Sequence, residues 1–182
     1  MTTALTSAVE LLERSLGYTR MALARAARAD LAAPTPCREW RLRDLLAHMD
    51  DSLDAFVEAA GGRVALTPAG ATPGVAVLQQ KACALLGLWS GAGPSGVSVG
   101  GADLATDLLV ATAAVEVTVH GWDVAQATGA RTPIPDQLAR NLLPVARRTV
   151  TEDDRGVRFA PALADPVGAG ADVHLLAFLG RR

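Results

Sequence analysis

Glu116 and His120 are the residues whose types and spacing most directly suggest chemistry. They lie four positions apart, so on a helix both side chains project from one face, about one turn from each other. A carboxylate oxygen and an imidazole nitrogen at that spacing can reach the same divalent metal ion. His48, in a second segment with apolar residues at helical spacing, would supply a third ligand from a facing helix. Three such ligands without a thiolate are typical of catalytic zinc, which keeps a coordination position open.

The same residues also have a purely structural interpretation. A glutamate and a histidine four residues apart often form a weak charge pair on a helix surface. A histidine on an apolar face, such as His48, is more often a hydrogen-bonded core residue than a ligand. Spacing alone leaves both interpretations open.

Three neighbouring residues complete the candidate site. Asp123, one turn beyond His120, is either an extra ligand or, as we favour, a carboxylate that orients an imidazole or a bound water. Trp40 and Trp122 are candidates for the walls of a pocket. Gly121 costs about 1 kcal/mol relative to alanine in mid-helix. We therefore expect a neighbouring helix or a substrate to approach closely there.

The composition predicts that helices position these residues. The 182-residue chain is 50% hydrophobic, 20% charged and only 4% aromatic. A core of Ala, Leu and Val favours closely packed helices over sheets, so we predict an all-α fold. Apolar periodicity predicts helices over residues 7–29, 42–60, 75–90, 102–128 and 136–150, with a short helix over 174–179. We expect one domain over 1–182, with the Pro- and Gly-rich tail 151–182 docked on a helical bundle.

Two segments have patterns that differ from those of the predicted helices. Residues 115–120 alternate apolar and polar side chains, which taken alone indicates a strand. A helix is preferred because it places Val115, Val119 and Trp122 on one stripe and accounts for the Ala-rich flanks. The glycine-rich segment 91–101 is predicted to be a loop, with room for a short extended piece over 97–99.

Charge and hydropathy exclude several classes of function. A net charge of −2 is not that of a broad nucleic-acid-binding surface. No unbroken apolar run reaches the roughly 18 to 20 residues of a membrane span, and the N-terminus does not have the pattern of a signal peptide. We therefore expect a cytoplasmic protein with no nucleic-acid or membrane partner. Cys37 and Cys83 are too few for a disulfide framework and are interpreted as small buried side chains, or as one reactive thiol at most.

Three segments resemble a known family. Residues 34–40 (PTPCREW) and 43–48 (RDLLAH) resemble the N-terminal motif of the mycothiol-dependent maleylpyruvate isomerase metal-binding domain family. Residues 116–129 (EVTVHGWDVAQATG) look like its second signature, and 175–181 (LLAFLGR) are similar to the end of its short, single-domain actinobacterial branch. The resemblance implies a DinB-like four-helix bundle with an additional short C-terminal helical segment. It also implies a divalent metal held by His48, Glu116 and His120, with zinc expected and nickel or iron as alternatives.

The resemblance also implies a chemistry. It predicts a metal-dependent S-transferase or isomerase-like enzyme in which the metal activates a low-molecular-weight thiol, mycothiol, for attack on a small electrophile. The isomerase has a further C-terminal domain that this sequence lacks, so we do not expect activity on maleylpyruvate itself. Two alternatives stay open: a non-catalytic metal- or ligand-binding module, and a metal-dependent hydrolase whose nucleophile is water. The expected partners are the thiol and the electrophile, with a homodimer as a further hypothesis.

Overall fold

A computed structural model describes residues 3–64, 74–91, 96–99, 102–156, 158–164 and 167–182. Six α-helices account for most of these residues, which confirms the predicted all-α class. A small sheet of three short strands accompanies them. In chain order the elements are α1 Thr3–Ala26, α2 Leu42–Ala59, β1 Arg63–Val64, α3 Val75–Trp89, β2 Gly96–Val99, β3 Ala102–Ala105, α4 Thr106–Ala127, α5 Asp136–Thr149 and α6 Ala171–Phe178.

The first four helices form the predicted bundle. α1 packs against α4 and α3, and α2 packs against the same two helices, so each helix has two neighbours in a closed ring. The bundle lies within a compact unit that spans Met1–Thr132. Leucine and alanine side chains fill its centre, and Leu12, Leu45 and Leu85 have no exposed surface. This ring brings α2 beside α4, the two helices that carry the candidate ligands.

α4 is the most deeply buried helix of the bundle. Sixteen of its 22 residues are buried, and they lie on all sides of the helix rather than on one stripe. It is long and apolar enough to cross a membrane by length and composition, but 83% of that window is buried inside the protein. Such burial is typical of the core helix of a soluble domain. Polar side chains on α4 therefore need partners within the bundle.

The start of α4 differs from its prediction. We predicted a helix from residue 102, but residues 102–105 form β3, and the helix begins at Thr106. β3 pairs with β2 in antiparallel register, with Val97 opposite Leu104, and β1 adds to β2 in parallel. Backbone pairing across the hairpin outweighs the helix propensity of alanine at this end. The predicted extended piece over 97–99 lies in β2, whereas 92–95 and 100–101 of the predicted loop lie outside the described residues.

A single lysine connects α2 and α3. The Nζ of Lys81 on α3 lies 2.6 Å from Oδ1 of Asp50 and 2.7 Å from Oδ2 of Asp54, both on α2. Asp50 is almost completely buried, so its charge needs this cation. The two ion pairs of Lys81 hold α3 against α2, the helix that carries His48.

The C-terminal residues form a second compact unit, Pro133–Arg182. α5 packs against α6, and Asp136 Oδ1 accepts a hydrogen bond of 3.2 Å from the backbone N–H of Ala171. The guanidinium of Arg155 lies 4.8 Å from the ring centre of Phe178 and donates to its carbonyl oxygen. α6 contains residues 174–178 of the predicted terminal helix, begins three residues earlier and ends one residue earlier than predicted. A single domain over 1–182, with the tail docked on the bundle, stays a prediction.

Gly121 marks a close approach between helices, as expected. A Cβ at this position would overlap the side chain of Thr19 on α1 and come within 3.0 Å of its Cγ2. The Thr19 hydroxyl also donates a 2.7 Å hydrogen bond to the carbonyl oxygen of Val117. α1 packs closely against α4 next to His120 because residue 121 lacks a side chain.

Replacing Gly121 with alanine is expected to lower the free energy of unfolding by about 1–3 kcal/mol, because overpacking outweighs the gain in helix propensity. Urea denaturation of the metal-free protein measures the change. Gly87 on α3 is the matched control, since a Cβ there meets no atom within 4 Å. Gly87→Ala is expected to stabilise the protein by up to about 1 kcal/mol. A Gly121→Ala protein as stable as the wild type would contradict this account of the helix contact.

Candidate metal centre

α2 and α4 bring His48, Glu116 and His120 together. Nε2 of His48 lies 2.7 Å from Oε1 of Glu116, and Nε2 of His120 lies 3.2 Å from the same oxygen. One ligand atom from each residue lies within 4.8 Å of the other two. Three residues separated by up to 72 positions thus converge on one point, as the spacing argument required.

The centre is partly buried. The side chains of His48, Glu116 and His120 are 35%, 24% and 9% exposed, respectively. A carboxylate at this depth loses much of its hydration and needs compensating charge or hydrogen bonds. The two imidazoles supply that compensation in the metal-free protein.

The charges in the cluster act on one another. Burial alone raises the pKa of Glu116, but the charge and hydrogen bonds of His120, together with His48, outweigh burial and hold that pKa well below its usual range. Burial alone lowers the pKa of His120, but the charge of Glu116 and the hydrogen bond with Asp123 raise it to about 9. In the metal-free protein, His120 is therefore a cation at neutral pH.

Asp123 fixes the orientation of one imidazole. Its side chain has no exposed surface, and its Oδ2 lies 3.0 Å from Nδ1 of His120. Because Nδ1 is engaged by this carboxylate, Nε2 is the nitrogen that faces Glu116 and His48. A carboxylate behind a histidine is the usual arrangement around a metal-binding imidazole. This placement agrees with an orienting role for Asp123.

The thiol of Cys37 also contacts Asp123. Its Sγ lies 3.6 Å from Oδ2 of that carboxylate, and Cys37, His120 and Asp123 form a second group whose ligand atoms lie within 4.8 Å of one another. Cys37 is half-buried, whereas Cys83 is exposed. The interpretation of both cysteines as small buried side chains is therefore wrong for Cys83. Cys37 instead provides a thiol beside the orienting carboxylate.

A short loop before α2 places Cys37 and Trp40 beside the centre. The hydroxyl of Thr35 lies 3.0 Å from the carbonyl oxygen of Cys37 and 2.9 Å from that of Trp40, which closes the loop on itself. The ring of Trp40 lies 4.7 Å from that of His48 and 6.1 Å from that of His120, measured between centroids. Trp40 thus packs against both imidazoles, but it is not among the residues that line the cavity beside the centre, so its role as a pocket wall stays a prediction.

Trp122 has a different environment from Trp40. It is 7% exposed and lies in the buried part of α4. It is not among the residues that line the cavity beside the centre. The role of Trp122 as a pocket wall stays a prediction.

Ser52 is a member of the centre that the sequence analysis missed. Its hydroxyl donates a 3.1 Å hydrogen bond to Oε1 of Glu116 and lies 3.5 Å from Nε2 of His48. Ser52 is four residues after His48, so it lies on the same face of α2. The four-residue spacing that linked Glu116 to His120, applied from His48, would have identified Ser52. Its hydroxyl helps to hold the carboxylate in place.

A cavity of about 640 Å³ opens beside the centre. All four helices of the bundle contribute to it, and its walls are mainly apolar. Glu116, His120 and Ser52 form its polar end. The other lining residues are Glu13, Leu16, Gly17, Thr19, Arg20, Met21, Leu23, Ala24, Met49, Leu53, Gln79, Ala82, Cys83, Leu86 and Val117.

The donor set fits a divalent metal of the zinc, nickel or iron type. Two imidazole nitrogens and one carboxylate oxygen suit these ions, and the absence of a thiolate from the triad is typical of catalytic sites. The two Nε2 atoms lie near a shared carboxylate oxygen, and Asp123 orients the more buried ring. Folding has already brought the three ligands together, so the protein does not have to assemble them when the metal binds.

Two known proteins are similar to most of this chain. Two proteins of Mycobacterium tuberculosis, from strains CDC 1551 and H37Rv and both described as uncharacterized, are each 32% identical to this chain over 163 residues. The match covers 85% of this chain and 87% of each relative. No solved structure matches the chain.

The family match covers the bundle and its candidate ligands. Residues 12–125 match the mycothiol maleylpyruvate isomerase N-terminal domain, a range that includes His48, Glu116, His120 and Asp123. Of the segments that suggested this resemblance, 34–40 and 43–48 lie inside the matched range, 116–129 begins inside it, and 175–181 lies outside it. The chain therefore belongs to the mycothiol maleylpyruvate isomerase N-terminal domain family, a mycothiol-related, DinB-like family of metal-binding domains.

Proposed function

We propose that this protein binds a divalent metal ion through His48, Glu116 and His120 and catalyses the reaction of mycothiol with a small electrophile, as an S-transferase or isomerase-like enzyme. The observation that carries the proposal is the convergence of two imidazole nitrogens on one carboxylate oxygen at the polar end of a cavity. A structural metal site needs no such cavity, whereas a catalytic site must admit its substrates.

Each polar residue has a defined task. When bound, the metal supplies a Lewis acid that lowers the pKa of the thiol and favours the thiolate. His48, Glu116 and His120 hold the ion, with zinc proposed first and nickel or iron as alternatives. Asp123 keeps Nε2 of His120 facing the site, and Ser52 restrains the Glu116 carboxylate. The apolar walls limit the access of water to the reacting groups.

The proposed location is the cytoplasm. A reaction that consumes a low-molecular-weight thiol needs a compartment in which thiols stay reduced. Both cysteines are present as thiols, and Cys83 is exposed. The proposed partners are the thiol and the electrophile.

A thiol-consumption assay tests this function. Protein loaded with zinc is incubated with mycothiol and monochlorobimane, and the fluorescent conjugate is followed with time. We expect a rate above that of free zinc and of metal-free protein, and loss of that rate in His48→Ala. Cysteine and glutathione in place of mycothiol establish the thiol preference.

Two other outcomes would favour one of the alternative functions instead. Tight zinc binding without turnover for any of the three thiols favours the non-catalytic module. Hydrolysis of an ester substrate that does not depend on added thiol favours the metal-dependent hydrolase. Thiol dependence therefore separates the three functions.

A further inference from the structure

We infer that the cavity between the bundle helices binds a small, neutral, apolar molecule with an alkyl or aryl body, whose reactive end lies at the polar end formed by Glu116, His120 and Ser52. Identifying this molecule as the electrophilic substrate rests on the proposed function. The existence of the binding site rests on the cavity alone.

The walls of the cavity match an apolar ligand. Leucine, methionine and valine side chains from α1, α2, α3 and α4 line it, including Leu23, Met49, Leu53 and Val117. Leu23, Met49 and Leu53 are each less than 5% exposed, so they belong to the core of the bundle. A cavity with such walls does not hold ordered water well, because water needs two to four polar partners. An apolar molecule gains dispersion contacts there instead.

Small residues on α1 and α3 create the space. Gly17 and Ala24 on α1 and Ala82 on α3 line the cavity, where larger side chains would fill it. A Cβ added to Gly17 meets no atom within 4 Å. The glycine is therefore not required by packing, although it costs about 1 kcal/mol in a helix relative to alanine. Gly17 and Ala24 are themselves exposed, so the cavity is open to solvent along α1 and a larger side chain at either position has room to enter it.

The size and the entrance also suit a small molecule. A volume of about 640 Å³ lies within the range of sites for small ligands, which is about 300–1,000 Å³. Exposed residues at the entrance, Glu13, Arg20 and Met21, connect the cavity to solvent. Met21 is 66% exposed, and a flexible thioether side chain at an entrance adapts to apolar ligands of different shapes.

Binding of the neutral fluorescent probe N-phenyl-1-naphthylamine to the zinc-loaded protein tests the inference. We expect saturable binding at one site in the wild type. Gly17→Leu and Ala82→Phe, which fill the cavity, are expected to weaken binding by about tenfold or more, because the probe loses its space. Gly87→Leu and Ala84→Phe on α3 are the matched controls. Both control positions are exposed and lie outside the cavity lining, so we expect their affinity to stay within about twofold of the wild type.

Two further measurements make the result decisive. Thermal melting and zinc content show whether each variant is folded and keeps its metal, and the cavity variant that passes both is the one compared. The inference is wrong if the wild type shows no saturable binding, or if the folded cavity variants bind the probe as the wild type does.

The probe assay and the thiol assay fail independently. If the probe binds and the cavity variants weaken it while no thiol reacts, the cavity is an apolar binding site and the proposed function is wrong. If mycothiol reacts with the electrophile while the probe does not bind, the inference alone is wrong.

Discussion

Zinc binding is expected to be lost when either His48 or His120 is replaced by alanine. Each variant removes one of two imidazole nitrogens that lie within 3.2 Å of the shared Glu116 oxygen. Removing a hydrogen-bond partner behind a ligand typically lowers metal affinity by about 10- to 100-fold, and removing the ligand itself must cost more. We therefore expect an affinity loss of more than about 100-fold for each variant. Competition with a chromogenic chelator measures it.

His174→Ala is the matched control for these two variants. The sequence contains three histidines, and His174 on α6 does not belong to the triad. The control removes an imidazole of the same size and leaves the three candidate ligands intact, so it should bind zinc as the wild type does. Equal loss in all three variants would indicate non-specific binding to histidines. Retention of zinc by His48→Ala and His120→Ala would rule out the triad as the metal site.

The triad was predictable from the sequence because it depends mostly on helix periodicity. The spacing of Glu116 and His120 places them on one face whenever the segment is helical, and apolar neighbours turn His48 inward. Residues 115–120 alternate apolar and polar side chains, a pattern that taken alone indicates a strand. The length of the surrounding apolar pattern and the burial of α4 on all sides explain why the helix prevails.

Other features depend on packing between segments and could not be predicted in this way. The pairing of β3 with β2 shortens α4, although residues 102–105 contain two alanines. The cavity exists because of how α1 and α3 approach the other helices, and no local pattern around Gly17 or Ala82 indicates a gap. The sequence predicted that a neighbouring group approaches Gly121 closely, but it did not indicate that this group is Thr19 on α1. Ser52 is the exception, since its spacing from His48 was available.

The metal-free and zinc-bound proteins are expected to respond to pH in opposite ways. In the metal-free protein, the pKa of His120 is about 9, above its usual value of 6.5. A raised histidine pKa stabilises the folded state fully below pH 6.5, and this stabilisation is lost as the pH rises towards 9. The lowered pKa of Glu116 stabilises the protein above pH 4.5 and is lost as the pH falls below that value. Stability without metal should therefore be greatest at about pH 5–6.

Zinc binding is expected to oppose the loss of stability that the metal-free protein shows as the pH rises above 6.5. A metal ion needs the neutral imidazole, so binding near pH 7 must displace the proton from His120. The apparent zinc affinity should rise by up to about tenfold per pH unit between pH 6.5 and 8. Melting curves at pH 6 and pH 8 with and without zinc measure both effects. We expect the midpoint without metal to fall by several degrees over this interval and the stabilisation by zinc to grow.

His120→Gln tests whether this histidine is the group that titrates. Glutamine is polar and of similar length but carries no titrating proton, so the decline in metal-free stability between pH 6.5 and 9 should largely disappear. Calorimetric titration of the wild type in buffers of different ionisation enthalpy gives the number of protons that zinc displaces. A value near one at pH 7 is expected if His120 is protonated beside Glu116 and Asp123 before the metal binds. A value near zero, with an unchanged decline in His120→Gln, would show that the histidine is already neutral and that the cluster is not charged as described.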